Sequence, residues 1–359
     1  MISLTLSLII LVLPFSELLR FQILPGIYLR VMDILAGALL VSLLIKNYRP
    51  LFSSVICLIL AFILLLSNLA NPLNPTSVAY LGRTLIYLLL IPFFINKSLI
   101  VSKKNERLFD FGLIIFVLAG LLQYFWYPQL RNLYYLGYDP HAYRLFGLFL
   151  DPNISGLILV WAFWHFFNRP SRFQKPAIVL ILIALLITYS RISWLCFLIA
   201  LIYKIIIYKQ KSAGLWFGSF LIIGVFFLPR HFGEGTNLWR TNSIKAKLNS
   251  TQLVIKQIKA KPILGIGFNN VHLFKSQQDK PIANNSLYGV DNSLLTVFLT
   301  SGMAGLIAYL GLFKKLWQKS SRQNRILTLI FFVHALSVNS FFTPSVLIYY
   351  LLFRITQRK

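Results

Sequence analysis

The chain has 359 residues, a mean hydropathy of +0.72 and 12% charged residues, with 35 Lys and Arg against 9 Asp and Glu. A soluble globular domain carries about 25% charged residues, so this composition excludes an ordinary water-soluble fold. The net charge of +26 would suggest nucleic acid in a soluble protein; here the basic residues sit in short connections between apolar runs, so membrane lipids are the expected partner and no nucleic acid is.

The apolar runs predict an all-α polytopic membrane protein with about 12 transmembrane helices (11–12). A run of about 20 apolar residues crosses the hydrocarbon core and satisfies its backbone polar groups internally only as a helix. In chain order the runs lie at 2–15, 27–45, 51–69, 77–95, 108–127, 153–167, 176–190, 192–208, 213–229, 293–313, 326–338 and 344–353. The last two are short enough to be one helix broken around Asn339 to Pro344. Residues 1–15 have no basic n-region and no small-residue cleavage site, and are expected to form a first helix rather than a signal peptide. Cys57 and Cys196 both fall in apolar runs, which argues against a disulfide framework or a zinc site.

One long polar interval breaks this pattern, and it divides the chain into 1–229, an N-terminal bundle of about nine helices, 230–292, a large loop, and 293–359, the C-terminal helices. A loop longer than about 15 residues is uncommon without a function. Within it Ile244, Leu248, Ile255 and Ile258 recur at helical spacing with lysines between them, as in a helix that lies on the bilayer or packs on the bundle top. With the N-terminus placed in the cytoplasm, the cytoplasmic connections hold twenty of the 35 basic residues; the short outer connections hold Arg20, Arg30, Arg131, Arg144 and Arg191. This bias predicts cytoplasmic termini and an extracytoplasmic loop containing short helices.

Several polar residues are not explained by topology. Arg83 lies mid-span in Val78-Ala-Tyr-Leu-Gly-Arg83, where an unpartnered arginine costs at least about 2.5 kcal/mol, so a cavity-facing role is expected. Arg191 lies at the outer end of a hairpin too tight to hold a loop. Arg144 opens Arg144-Leu-Phe-Gly-Leu-Phe-Leu-Asp151-Pro-Asn153, in which Asp151 or Asn153 caps the next helix. Together Arg83, Arg144 and Arg191 would set guanidinium groups on one side of the membrane, where their paired N–H donors suit a lipid-linked pyrophosphate. Gly265 and Gly267, after Lys261-Pro262, allow close backbone approach. Asp291, followed by Asn292, is read as a general base, as the N-cap of the next helix, or as both. The five histidines show no metal spacing and there is no HExxH, so no metal or cofactor is expected.

The order of these motifs resembles the O-antigen ligase and polymerase superfamily, also called the Wzy-C or WaaL-like family. The resemblance rests on Arg144-x-x-Gly147-x-Phe149-x-Asp151-Pro-Asn153, on Ser190-Arg191 at a tight turn, on Pro262-Ile-Leu-Gly265-Ile-Gly267, and on Asp291-Asn292-Ser-Leu-Leu295 followed by Ser301-Gly302-Met-Ala-Gly305. Arg30-Val-Met-Asp33 resembles the family's second span. The matches run in family order from about residue 30 to about residue 310.

That resemblance implies a metal-independent, inverting glycosyltransferase in the bacterial cytoplasmic (inner) membrane. Its donor would be an undecaprenyl-pyrophosphate-linked oligosaccharide, with a chain-length regulator as a further partner. A polymerase passes the glycan to another lipid-linked unit; a ligase passes it to lipid A-core or to protein. The resemblance gives Arg144 and Arg191 to the pyrophosphate. The ligases place a histidine where this chain has Asp291, which favours polymerase and leaves His272 as a substitute base. A lipid-linked glycan flippase is the alternative from another class, and would call for internal repeats that the chain lacks.

Overall fold

The structure is a computed structural model that describes residues 2–52, 54–96, 99, 101–136, 138–169, 173–209, 211–230, 235–238, 242–272 and 290–357. It is a helical bundle. The helices are α1 (Ile2–Val12), α2 (Val31–Lys46), a single turn α3 (Arg49–Phe52), α4 (Val55–Leu69), α5 (Pro75–Ile95), α6 (Lys103–Trp126), α7 (Pro152–Phe167), α8 (Gln174–Ile187), α9 (Arg191–Tyr208), α10 (Lys211–Phe227), α11 (Asn242–Ala260), α12 (Ser293–Gln318), α13 (Arg322–Ala335) and α14 (Pro344–Thr356). A helix therefore stands at every apolar run of the sequence. The last two runs form separate helices, α13 and α14, joined by residues 336–343.

Among the described residues four helices are long and apolar enough to cross a membrane: Pro75–Ile95, Lys103–Trp126, Arg191–Tyr208 and Ser293–Gln318. The other apolar helices are shorter, from the 11 residues of α1 to the 17 of α10. Large apolar side chains cover the bundle's perimeter, among them Ile45, Phe62, Leu69, Phe125, Trp216 and Phe227. A surface this apolar is suited to lipid rather than water.

One expectation is corrected at the second run. Residues 27–30 are not helical but form strand β2 (Ile27–Arg30), paired antiparallel with β1 (Arg20–Leu24) in register Arg20↔Arg30 and Phe21↔Leu29. The turn is Pro25-Gly26, where Gly26 takes φ +77°, open to glycine at little cost. The helix starts only at Val31, once the Asp33 carboxylate accepts the Arg30 backbone N–H at 2.9 Å.

The centre of the bundle is α7 beside α14, both buried almost along their whole length. Trp161 packs on Tyr350 and Phe353, and Phe109 of α6 packs on Tyr349 and Phe353. Around them the helices alternate in direction. Ser16, just past α1, hydrogen-bonds Ser345 at the start of α14, and His334 at the end of α13 hydrogen-bonds Asn153 at the start of α7. At the opposite end Asn324, beginning α13, reaches the Arg354 carbonyl on α14. The starts of α2, α5, α7, α9, α12 and α14 thus share one end, and α11 packs across that end.

Candidate active site

At the shared end, the chain after α11 doubles back into the bundle. α12 is broken at Gly302, whose φ is +65°. The break frees the carbonyls of Leu299 and Thr300, and the loop satisfies them: the Ile266 N–H donates to Leu299 at 2.9 Å and the Gly267 N–H to Thr300 at 3.0 Å. In return, the Met303 N–H donates to the Pro262 carbonyl at 2.8 Å. Both backbones approach too closely for side chains. A Cβ on Gly265 would collide with the Leu299 carbonyl, and one on Gly302 with the Ile263 carbonyl. This gives the Pro262–Gly267 motif its physical reason.

The C-terminal end of α4 supports that segment. The Asn71 Nδ2 donates to the Gly265 carbonyl at 3.1 Å and its Oδ1 accepts from Lys261 Nζ at 2.6 Å. Ser67 donates to the Leu264 carbonyl at 2.5 Å, and Asn74 Nδ2 to Asn270 Oδ1 at 2.8 Å. The C-terminal half of α11 packs on the same platform through Val254 and Ile258, which are buried with Val271, Val290 and Leu299. Leu248 and Ile255 face outward instead, so this half of the helix lies on the bundle top. The side chain of Ile244 and residues 273–289 lie outside the described residues.

Three helix starts meet beside this platform. Asp151 caps α7, its Oδ1 accepting from the N–H groups of Asn153 (2.7 Å) and Ile154 (3.3 Å). Ser190 caps α9 and also donates to Asn153 Oδ1 at 2.8 Å, tying the two starts together. Asn292 caps α12, with Leu294 N–H at 2.8 Å, and its Nδ2 donates to the Leu336 carbonyl at 2.6 Å. This corrects one reading of Asp291: Asn292, not Asp291, is the N-cap. Asp291 is exposed and lies 4.0 Å from Lys247 of α11, which donates to the Ser337 carbonyl at 3.2 Å.

Arg144 and Arg191 differ. Arg144 is buried, its Nε donating to the Thr188 carbonyl at 2.9 Å and its Nη2 to the Tyr189 carbonyl at 3.3 Å. It clamps the α8–α9 turn, where Tyr189 takes φ +51°. Arg191 is exposed at the first residue of α9 and reaches the Leu238 carbonyl at 3.2 Å.

Asp139, Arg144, Asp151, Lys247 and Asp291 act on one another electrostatically. Asp139 and Asp151 are both held above the ordinary carboxylate range. Crowding by protein is the largest cause for Asp139, and the carboxylates Asp151 and Asp291 add to it. Burial raises Asp151, opposed by its two capping N–H bonds and by Arg144 and Lys247. Cations beside three helix starts form a place for an anion, and carboxylates poised above their usual range are suited to proton transfer. Among the described residues no three of His, Cys, Asp and Glu gather as a metal would need.

A second polar compartment lies on the other side of residues 336–343. Arg83 Nη2 meets Asp33 Oδ2 at 2.9 Å and also donates to the Tyr28 carbonyl. Tyr87 donates to Asp33 Oδ1 at 2.9 Å, and Arg30 pairs with Glu17 at 2.8 Å. Arg83 and Arg30 line a cavity of about 230 Å³ whose other walls come from α12, the 268–271 segment and residues 339–344. His272 follows that segment, its Nδ1 3.0 Å from the Asn269 carbonyl.

The structure therefore gathers Arg144, Asn153, Asp291 and Asn292 around the meeting helix starts, with Arg191 at the rim, and sets Arg83 in the second compartment with Phe268, Asn269 and Val271, His272 following them in the chain. Sequence reasoning missed Lys247, Asp139 and the asparagines at the end of α4. The asparagines had a signal: Asn68, Asn71 and Asn74 recur every three residues at the end of an apolar run. Lys247 had none, being one lysine among several on a polar helix.

Residues 176–310 match the family model described as O-antigen ligase. No curated protein matches the chain. The matched region takes in the Arg191 turn, the loop, the Asp291 re-entry and the Gly302 break. Over those residues the chain is similar to the O-antigen ligase family, which supports the O-antigen ligase/polymerase superfamily as its place.

Proposed function

We propose that this protein polymerises undecaprenyl-pyrophosphate-linked oligosaccharide units into surface polysaccharide on the outer face of the bacterial cytoplasmic membrane. In this reading all twelve apolar helices cross, both termini are cytoplasmic, and the loop covers the site from outside. The observation that supports it most is the meeting of the α7, α9 and α12 starts with Arg144, Arg191 and Lys247 beneath the returning loop. A lipid-linked pyrophosphate reaches the membrane surface at that level, and neutralising its developing charge is the largest demand of the reaction.

Arg191 and Lys247 bind the donor pyrophosphate, and Arg144 holds the turn that presents Arg191. The acceptor hydroxyl oxygen attacks the anomeric carbon from the face opposite the pyrophosphate. A new C–O bond forms as the bond to the pyrophosphate oxygen breaks, and that electron pair leaves with undecaprenyl pyrophosphate. The hydroxyl proton passes to the Asp291 carboxylate and then to water. The sugar inverts, and no metal or cofactor enters the scheme.

Arg191→Ala tests this reading. It should abolish chain extension in cells at unchanged protein level, and persistence of long polymer would overturn it. Ligation is the second reading, favoured by the description of the matched family model. It predicts that polymer builds up on the lipid carrier while transfer to the final acceptor is lost.

A further inference from the structure

The cavity beside Arg30 and Arg83 differs in charge from the site at the helix starts. Each of its guanidinium groups already faces a carboxylate, Arg83 with Asp33 at 2.9 Å and Arg30 with Glu17 at 2.8 Å. Two positive and two negative charges leave the compartment with no net charge from these groups. A pyrophosphate entering it would meet no unmatched cation. An uncharged polar ligand would meet paired N–H groups and hydroxyl oxygens without displacing a charge.

The other walls point the same way. Phe268 and Phe342 line the cavity with ring centroids 5.4 Å apart, a flat apolar surface of the kind that the C–H face of a sugar ring covers. Thr84, Thr296, Thr300 and Thr343 also line it, each hydroxyl donating to a backbone carbonyl and so offering lone pairs to a ligand. Asn269 Nδ2 and Asn339 Oδ1 are buried and have no hydrogen-bond partner among the described residues. Buried polar atoms are normally paired; here two lining residues each keep one unmet group, a donor and an acceptor, which a sugar hydroxyl meets once the two amides turn toward the cavity. The volume of about 230 Å³ is the share of roughly eight waters in bulk liquid, about the size of one sugar ring.

The cavity also borders the proposed reaction site. Thr296 lies one helical turn below the cap Asn292 and donates to its carbonyl at 2.9 Å. Asn339 lies two residues past Ser337, whose carbonyl holds Lys247. Among the described residues, the first turn of α12 and residues 336–339 lie between the cavity and the Lys247–Asp291 pair.

We propose that this cavity binds an uncharged sugar ring of the acceptor glycan and presents its hydroxyl toward Asp291. This rests on the glycosyl-transfer reading of the neighbouring site. The acceptor is thereby selected by its sugar, while the donor is held by its pyrophosphate.

The test uses the full-length protein in lipid nanodiscs and the host's own repeat-unit oligosaccharide, released from its carrier by mild acid. Binding is read by saturation-transfer NMR, without turnover. The oligosaccharide should bind the unaltered protein, and inorganic pyrophosphate should not displace it. Asn339→Ala and Asn269→Gly (a change that keeps the positive φ of +58° accessible) should each weaken binding by about tenfold, the cost of one lost buried hydrogen bond. In turnover the same variants should raise the acceptor KM and leave the donor KM in place. Displacement by pyrophosphate, or unchanged binding in both folded variants, would overturn the assignment. The two readings fail separately: glycan binding without any transfer sinks the transferase reading and keeps the cavity, and transfer with unaltered variants sinks the cavity and keeps the transferase.

Discussion

The Arg83 guanidinium and the Asp33 carboxylate meet at 2.9 Å, joining α5 to α2 inside the bundle with both side chains largely buried. Removing one member leaves the other charge buried alone, which typically costs about 3–5 kcal/mol. Arg83→Gln and Asp33→Asn should therefore each lower the unfolding midpoint in detergent strongly. The double variant should lose much less than the sum. Additive losses would show that the pair is not coupled.

Glycine at 302 and 265 is demanded by contact as well as by conformation. Gly302→Ala and Gly265→Ala place a methyl group against a backbone carbonyl at positive φ. Each should cost about 2–4 kcal/mol and reduce the yield of monodisperse protein. Gly82→Ala is the control. Nothing lies within 4 Å of its added Cβ, and alanine in a helix is favoured over glycine by about 1 kcal/mol. Thermal shift of purified variants would read all three.

The exposed Arg191 and the buried Arg144 should separate activity from stability. Arg191→Ala should cut transfer at least about 100-fold with little change in melting, the scale of losing a charge-stabilising donor. Arg191→Lys should recover part of it. Arg144→Ala should lose both activity and stability, because it frees the Thr188 and Tyr189 carbonyls. Equal melting for both alanine variants would contradict this division.

Asp151 makes stability depend on pH. Its pKa is raised in the fold, so the folded state holds its proton more tightly than the unfolded chain. The stability this contributes is complete below the ordinary aspartate value of about 3.9 and is lost as pH rises through the raised value. Asparagine caps a helix as well as aspartate does. Relative to the unaltered protein, Asp151→Asn should therefore gain stability as pH rises from about 4 through the raised value. A constant difference in midpoint across that range would refute the shift.

Much of the fold was legible in the sequence because bilayer physics leaves few options. Apolar runs had to be helices, and Asp151-Pro152 had to start one. The hairpin at 20–30 was hidden because Ile27, Tyr28 and Leu29 run on into the apolar helix with only Arg30 between them. The site was less legible. Arg144 and Arg191 looked alike in sequence, and only three-dimensional packing makes one a buried clamp and leaves the other exposed at the rim. Asp33 and Arg83 are fifty residues apart, and no local pattern announces that they neutralise each other. The re-entrant pairing of 262–267 with the break in α12 is a long-range contact that glycine alone could hint at.

The central claim is glycosyl transfer between lipid-linked units at the meeting of the α7, α9 and α12 starts. The most direct measurement incubates purified protein in lipid with undecaprenyl-pyrophosphate-linked repeat unit from the native host and resolves the products by length. A ladder of longer lipid-linked glycans, absent with Arg191→Ala, is the predicted result. A confirmed native donor that remains at single-unit length, with no final acceptor needed or used, would contradict it.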